Sequence, residues 1–164
     1  IAQANKATII AIAEVATYAQ SQGVKAHGMN LGGRYVFPFG SVKFVPALHS
    51  SGYEIDDVMT YMGEASGIIL EAEDKKIYHA GDTALFSDMR LFAKDKSIDV
   101  AFLPIGDNYT MGPEDALQAV SYLNPKITIP IHYNTFPVIQ QNPAIFVEQV
   151  VGGKVLNPGE TILV

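Results

Sequence analysis

Ile77-Tyr78-His79-Ala80-Gly81-Asp82-Thr83 is the stretch on which the reading of this chain turns. It is a short β-branched and aromatic run that enters a glycine turn and presents a carboxylate, with a histidine three positions earlier. A strand end is rigid, and glycine lets the backbone bend close to a bound ion, so this is a good place for a metal ligand. Two other histidines have the same setting. His49 closes the apolar run Val42 to Leu48, and His132 closes Ile127-Thr128-Ile129-Pro130-Ile131. Three nitrogen or oxygen ligands, each at the C-terminal end of a strand-like run, predict one shared rim of a sheet. Imidazole and carboxylate together suit zinc, manganese or iron. Taken singly, each has an ordinary reading: a histidine at a strand end is more often a hydrogen-bonded surface or core group, and Gly-Asp is more often a plain turn. Spacing alone leaves both readings open.

Working outward, 164 residues fit one domain, 1–164, and an apolar fraction of 48% is enough for a packed core. The net charge is −6 with Lys and Arg scattered, so nucleic acid is not favoured as a partner. There is no cysteine. That excludes a disulfide framework, Cys-ligated zinc and a cysteine nucleophile. No apolar run reaches membrane-span length and no signal peptide is visible, so the expected place is the cytoplasm. The chain opens Ile1-Ala2-Gln3-Ala4-Asn5-Lys6 without Met or a capping residue. It reads as the last turns of a helix whose start lies upstream.

In order, Ala7 to Ala13 predicts a buried strand, and Glu14 to Gln22 a helix with Gly23 as its C-cap. Val24 to Ala26 predicts a short strand, His27 to Gly33 a glycine-rich loop, and Tyr35 to Phe39 and Ser41 to Leu48 two strands around Gly40. Ser50 to Gly63 reads as a long loop whose Tyr53, Met59, Tyr61 and Met62 could line a pocket. Ala65 to Glu71 and Lys75 to His79 form a predicted hairpin turning at Glu73-Asp74. Ser87 to Lys94 reads as helical and Ile98 to Ile105 as an apolar strand. Pro113, followed by Glu114 and Asp115, starts a helix to about Leu123. Ile127 to Ile131 is the next strand and His132 to Gln141 a loop. Asn142-Pro143 starts a helix that ends near Gly152. Lys154 to Leu156 and Thr161 to Val164 read as closing strands. The order predicts α/β layering with a mixed sheet.

Three segments, Val45-Pro46-Ala47-Leu48-His49-Ser50, Ile77 to Thr83 and Ile129-Pro130-Ile131-His132-Tyr133-Asn134-Thr135, resemble the later motifs of the metallo-β-lactamase superfamily, in their order. Asp82 follows His49 by 33 positions and His132 follows Asp82 by 50, intervals compatible with that family. The loop Leu103 to Ala116 is similar to a branch of largely uncharacterised metal-dependent hydrolases related to ascorbate-6-phosphate lactonase. The resemblance covers nearly the whole chain. It implies a four-layer αββα sandwich with a dinuclear metal centre at one edge, holding two divalent ions: zinc foremost, manganese or iron as alternatives. It implies that His49 ligates one ion, Asp82 bridges both and His132 ligates the other, with Asp82 and His132 at the catalytic centre. One departure is large. The family's His-x-His-x-Asp-His cluster is absent, and its expected place is just upstream of Ile1. The expectation is therefore the larger, C-terminal part of a domain, from a parent of roughly 220–230 residues. The missing segment is the expected partner that completes the site and its activity.

Among the other candidates, His79 is a residue that could orient the ligands. Asn134 and Thr135 follow His132 and could bind substrate oxygens. His27 has a smaller claim to the pocket, and Asp107 and Asn108 read as ties within their own loop. The resemblance implies a metal-activated water attacking a small ester, lactone or phosphodiester. It favours an anionic small molecule, and nothing points specifically to β-lactams. The alternative is a non-catalytic metal- or ligand-binding protein, or one part of a split protein. Assembly into a homo-oligomer stays open.

Overall fold

The computed structural model covers residues 1–164. Its N-terminal turn ends as helices end: the Ala7 amide donates to Ala2 O, the Lys6 amide to Gln3 O, and Lys6 takes a left-handed φ of 53°. β1 (Ile9–Ile12) leads into α1 (Ala13–Ser21) and returns as β2 (Ala26–Met29), parallel to β1. Gly23 closes α1 as expected, at φ 74° with its amide on Gln20 O.

The loop expected from His27 to Gly33 is corrected in part, because its first residues are β2. The parallel pairing with β1 uses them, and buried Met29 packs with Val42 and Phe44. Gly28 is needed for contact rather than for a loop: a side chain there would press on Ala13 and Ala16 of α1. The His27 ring packs tilted against Tyr35 and edge-on to Phe37.

The main sheet holds β3 (Arg34–Phe37), β4 (Gly40–Pro46), β7 (Ser66–Ala72), β8 (Lys75–His79), β9 (Val100–Pro104) and β10 (Ile127–Ile131), in the order β10-β9-β8-β7-β4-β3. β8, β9 and β10 are mutually parallel, while β7 is antiparallel to both β8 and β4. Hence β4, β8, β9 and β10 all point the same way, and their C-terminal ends share one edge. The hairpin turn at Glu73-Asp74 is as expected, with both residues at positive φ, 50° and 61°.

The long loop from Ser50 to Gly63 is also corrected. It is a separate hairpin, β5 (Gly52–Ile55) and β6 (Val58–Tyr61), turned at Asp56-Asp57 with φ 51° and 62°. Its Tyr53, Met59 and Tyr61 stand exposed, so no clean alternation marked it as strand. Tyr53 and Met62 do line a cavity of about 570 Å³ with β1, α1 and Phe44, but Asp82, His132 and His49 are not part of it.

Four layers result. α1 covers the β1–β2 pair, which packs on the main sheet through Met29, Val42 and Phe44. The opposite face of the sheet carries a 3-10 turn (Ser87–Leu91) and α2 (Pro113–Leu123) over Tyr78, Ala101 and Leu103. α3 (Pro143–Glu148) joins through Phe146, packed with Ile105 and Ala116. Each large apolar side chain fully buried there contributes about 1.5–3 kcal/mol. The helix expected over Ser87–Lys94 is this shorter 3-10 turn, and α3 stops before Gly152.

The two expected closing strands do not form. Gly153 makes a single bridge to Thr128, with the Thr128 amide on Gly152 O and the Lys154 amide on Thr128 O. The next outward donor on β10 is residue 130, a proline without an N–H, so the ladder cannot continue.

The sheet edge opposite the strand ends is tied by charge. Buried Asp99 accepts the Lys76 amide at 2.8 Å and Lys126 Nζ at 2.7 Å. The buried Lys76 ammonium donates to Phe92 O at 2.6 Å and Lys96 O at 3.2 Å.

Candidate metal centre

β8 ends at His79, and the chain turns at Gly81 with φ 66°. A side chain at Gly81 would come within 2.8 Å of Ser66 O, so both backbone angle and space require glycine. The Gly81 amide donates to His79 Nδ1 at 3.1 Å. The His79 ring lies flat on Phe102, with centroids 5.6 Å apart. Desolvation lowers the imidazole's pKa, and the charge of Asp82 partly offsets this. His79 therefore serves as a neutral acceptor that shapes the turn carrying Asp82.

β10 ends at Ile131, and the next residue, His132, takes a left-handed φ of 54°. That conformation is uncommon for a non-glycine residue and persists only where the surroundings impose it. The neighbouring strand end leaves room for it. A Cβ on Gly106 would collide with His132 O and lie 3.0 Å from its Nδ1, so the bare backbone of residue 106 is the seat of the imidazole. The result is a pair: His132 Nε2 stands 3.5 Å from Asp82 Oδ2, with the side chains 23% and 46% exposed. His132 Nδ1 is buried without a hydrogen-bond partner.

The pair fits a shared cation. Its separation is long for a hydrogen bond. Two ligands at about 2.0–2.2 Å from a tetrahedral metal stand roughly 3.3–3.6 Å apart, which matches. The unpartnered nitrogen is Nδ1, on the Gly106 side of the ring, and leaving it without a partner costs about 1–3 kcal/mol.

His49 reaches the same edge by another route. Leu48, just before it, donates its amide to Thr83 Oγ1 at 2.9 Å and accepts the Ala84 amide at 3.1 Å. The exposed His49 ring places Nδ1 2.8 Å from Ser50 O, which leaves Nε2 as the free nitrogen. Asp82 and His132 come together, but His49 does not join them: no three His, Cys, Asp or Glu side chains form a cluster able to hold a metal. In this structure Asp82 and His132 pair, and His49 lies on the same rim outside the pair. The reason is that backbone tethering fixes where the His49 loop lies and leaves its exposed side chain free.

Thr83 is the residue that sequence reasoning missed. It is fully buried, and its carbonyl also accepts the Met111 amide at 2.9 Å. It thus joins the His49 loop, the Asp82 turn and the loop after β9. Its signal was available: a hydroxyl directly after Gly-Asp at a strand end. Asp107 ties its own loop as expected, accepting the Asn108 amide at 2.8 Å. Asn134, at φ 59°, accepts the Gln141 amide at 2.8 Å through Oδ1, so half of its carboxamide already serves its own loop. Thr135 is exposed beside it.

A family model described as the beta-lactamase superfamily domain matches residues 2–133. The chain belongs to the β-lactamase superfamily. Within this superfamily it is 96% identical over 164 residues to the UPF0173 metal-dependent hydrolase of Enterococcus faecalis, spanning all of this chain and 73% of that relative. A UPF0173 metal-dependent hydrolase of Bacillus cereus is 52% identical over 166 residues, covering 99% of this chain and 73% of the relative. The superfamily fold is seen in Igni18, a metallo hydrolase from Ignicoccus hospitalis: TM-score 0.88 and 34% identity, over 98% of this chain and 70% of that one. The superfamily member described here is thus a metal-dependent hydrolase by family. No helix is long and apolar enough to cross a membrane.

Proposed function

We propose that Asp82 and His132 are two ligands of a catalytic divalent centre, and that the enzyme hydrolyses a small ester, lactone or phosphodiester. The observation that supports this is the 3.5 Å separation of Asp82 Oδ2 and His132 Nε2. Zinc is the first candidate, with manganese and iron accepting the same donors. Two ions are proposed for the centre, and Asp82 and His132 would help to hold them. A cation held there would supply Lewis acidity and lower the pKa of its bound water toward neutrality.

The chain's own residues do the positioning. Gly106 leaves room for the His132 imidazole, the Gly81–His79 bond aims the Asp82 turn, and Thr83 ties that turn to the His49 loop. His49 is assigned to the same centre, reached by rotation of an exposed side chain on a pinned backbone. Thr135 and the remaining amide nitrogen of Asn134 are assigned to substrate oxygens. A small anionic molecule is the favoured substrate, because cations beside an open rim attract it.

The test is a zinc titration of the wild type, Asp82→Ala and His132→Ala, with metal content per chain and hydrolysis of a lactone and a phosphodiester panel. Loss of binding and of hydrolysis in both variants is expected. Full activity in Asp82→Ala would overturn the assignment.

A further inference from the structure

Two exposed aromatic side chains sit on the loops that leave the sheet edge carrying the Asp82–His132 pair, outside the buried core clusters. Tyr109 is 56% exposed and Phe136 is 42% exposed, yet their rings touch, with centroids 6.1 Å apart and planes tilted by 54°. They come from different loops that leave the same sheet edge. Tyr109 lies in the loop after β9, between Gly106, which seats His132, and Met111, whose amide is held by Thr83 O. Phe136 follows His132 by four residues, so its Cα lies within about 14 Å of the ligand's Cα at the limit of chain extension.

Both loops are pinned. The Asp107 amide donates to Met111 O, and the Asn134 amide donates to Ile139 O at 2.9 Å. The Gln141 side chain reaches across from one loop to the other, donating to Gly106 O at 3.4 Å. Asp107, Asn108, His132 and Asn134 all hold positive φ, so the two loops adopt conformations that few residues take unaided. Exposed aromatic area on rigid loops next to a reaction centre is the usual make-up of a ligand wall: apolar surface supplies affinity, and a few polar groups fix orientation.

We infer that Tyr109 and Phe136 form an aromatic shelf that determines substrate specificity, selecting substrates that carry an aryl or other flat apolar group on the ester, lactone or phosphoryl centre. This rests on the assignment of the Asp82–His132 pair as the reaction centre. The tilted pair offers ring faces and edges to a third ring at the 4.5–7 Å spacing that aromatic groups prefer. The substrate is then amphipathic: an anionic or carbonyl head for the rim and a planar body for the shelf.

The experiment compares methylphosphonate and phenylphosphonate, which share a head group and differ only in the body. Affinities are measured by titration calorimetry on the zinc-supplied protein, for the wild type, Tyr109→Ala, Phe136→Ala and Tyr109→Phe. The expected result is a phenyl preference of about three- to tenfold in the wild type. It should be kept in Tyr109→Phe and lost in either alanine variant, with methylphosphonate affinity unchanged. Equal affinity for the two probes, a preference that survives both alanine variants, or binding of neither probe overturns the shelf. If phenylphosphonate binds through Tyr109 and Phe136 while methylphosphonate does not bind, the shelf stands and the metal assignment at Asp82–His132 falls. Phe136 and Tyr109 are exposed, so the alanine variants should keep the wild-type circular dichroism.

Discussion

The hydroxyl of Thr83 accepts the backbone amide of Leu48 at 2.9 Å, joining two parts of the chain that lie 35 residues apart. That bond ties the turn that carries Asp82 to the loop that carries His49. The Thr83 carbonyl adds the loop after β9 by accepting the Met111 amide. A buried threonine is therefore the joint of the rim.

Thr83→Val keeps the shape and removes the acceptor. It should destabilise the protein by about 1–3 kcal/mol, because the Leu48 amide loses its partner, while Thr83→Ser should cost less. Urea unfolding reads the stability, and hydrogen exchange at Leu48 reads the bond itself. Unchanged protection at Leu48 in Thr83→Val would refute the joint.

Gly106→Ala puts a methyl group where His132 now lies. Overpacking of this kind costs about 1–3 kcal/mol. The larger effect should be catalytic, since a 1 Å misplacement at a reaction centre can cost about 100-fold. Steady-state hydrolysis beside thermal unfolding would show activity falling further than stability.

His79→Ala removes the acceptor of the Gly81 amide and the ring stacked on Phe102. Metal affinity should fall by about 10–100-fold, as for a residue that orients a ligand. His79→Asn, which retains an acceptor, should recover part of it. Competition with a zinc-binding dye measures both, and an unchanged affinity in His79→Ala would assign the ring a packing role only.

At the opposite edge of the sheet, Asp99 sets an acid limit on stability. Its hydrogen bonds with Lys126 and with the Lys76 amide hold its carboxyl below the usual carboxylate range. A folded-state pKa below the unfolded value of about 3.9 means stabilisation that is present above that value. It is lost as pH falls through the folded-state pKa, because the unfolded chain then binds the extra proton. Urea midpoints measured from pH 6 down to pH 3 should fall more steeply in the wild type than in Asp99→Asn. Parallel curves would show that this carboxylate does not contribute.

Much of the scaffold was legible in local sequence because its causes are local. Pro113 with Glu114 and Asp115 marks a helix start, Gly23 a helix end and Glu73-Asp74 a hairpin turn, and each element forms there. The residues at three strand ends, His49, Asp82 and His132, were also legible as candidates, since an apolar run closed by a polar ligand is visible in one dimension. Other features depend on partners distant in the chain. β2 exists because β1 is there to pair with it, and the closing strands fail because Pro130 withholds one donor from the edge of β10. The hairpin at Asp56-Asp57 is exposed on its apolar positions, so its pattern resembled a loop.

By itself the sequence marked the candidate ligands, the turns that present them and the strand ends that carry them. Only the tertiary structure decided which of these residues meet. Asp82 and His132 are 50 residues apart and come within 3.5 Å because parallel strands β8, β9 and β10 end side by side and Gly106 leaves room for the imidazole. His49 arrives at the same rim through Thr83 but stays outside the pair, because hydrogen bonds hold its backbone while its side chain remains in solvent. Side-chain distance depends on sheet register and on packing between distant segments, and neither is encoded at any single position.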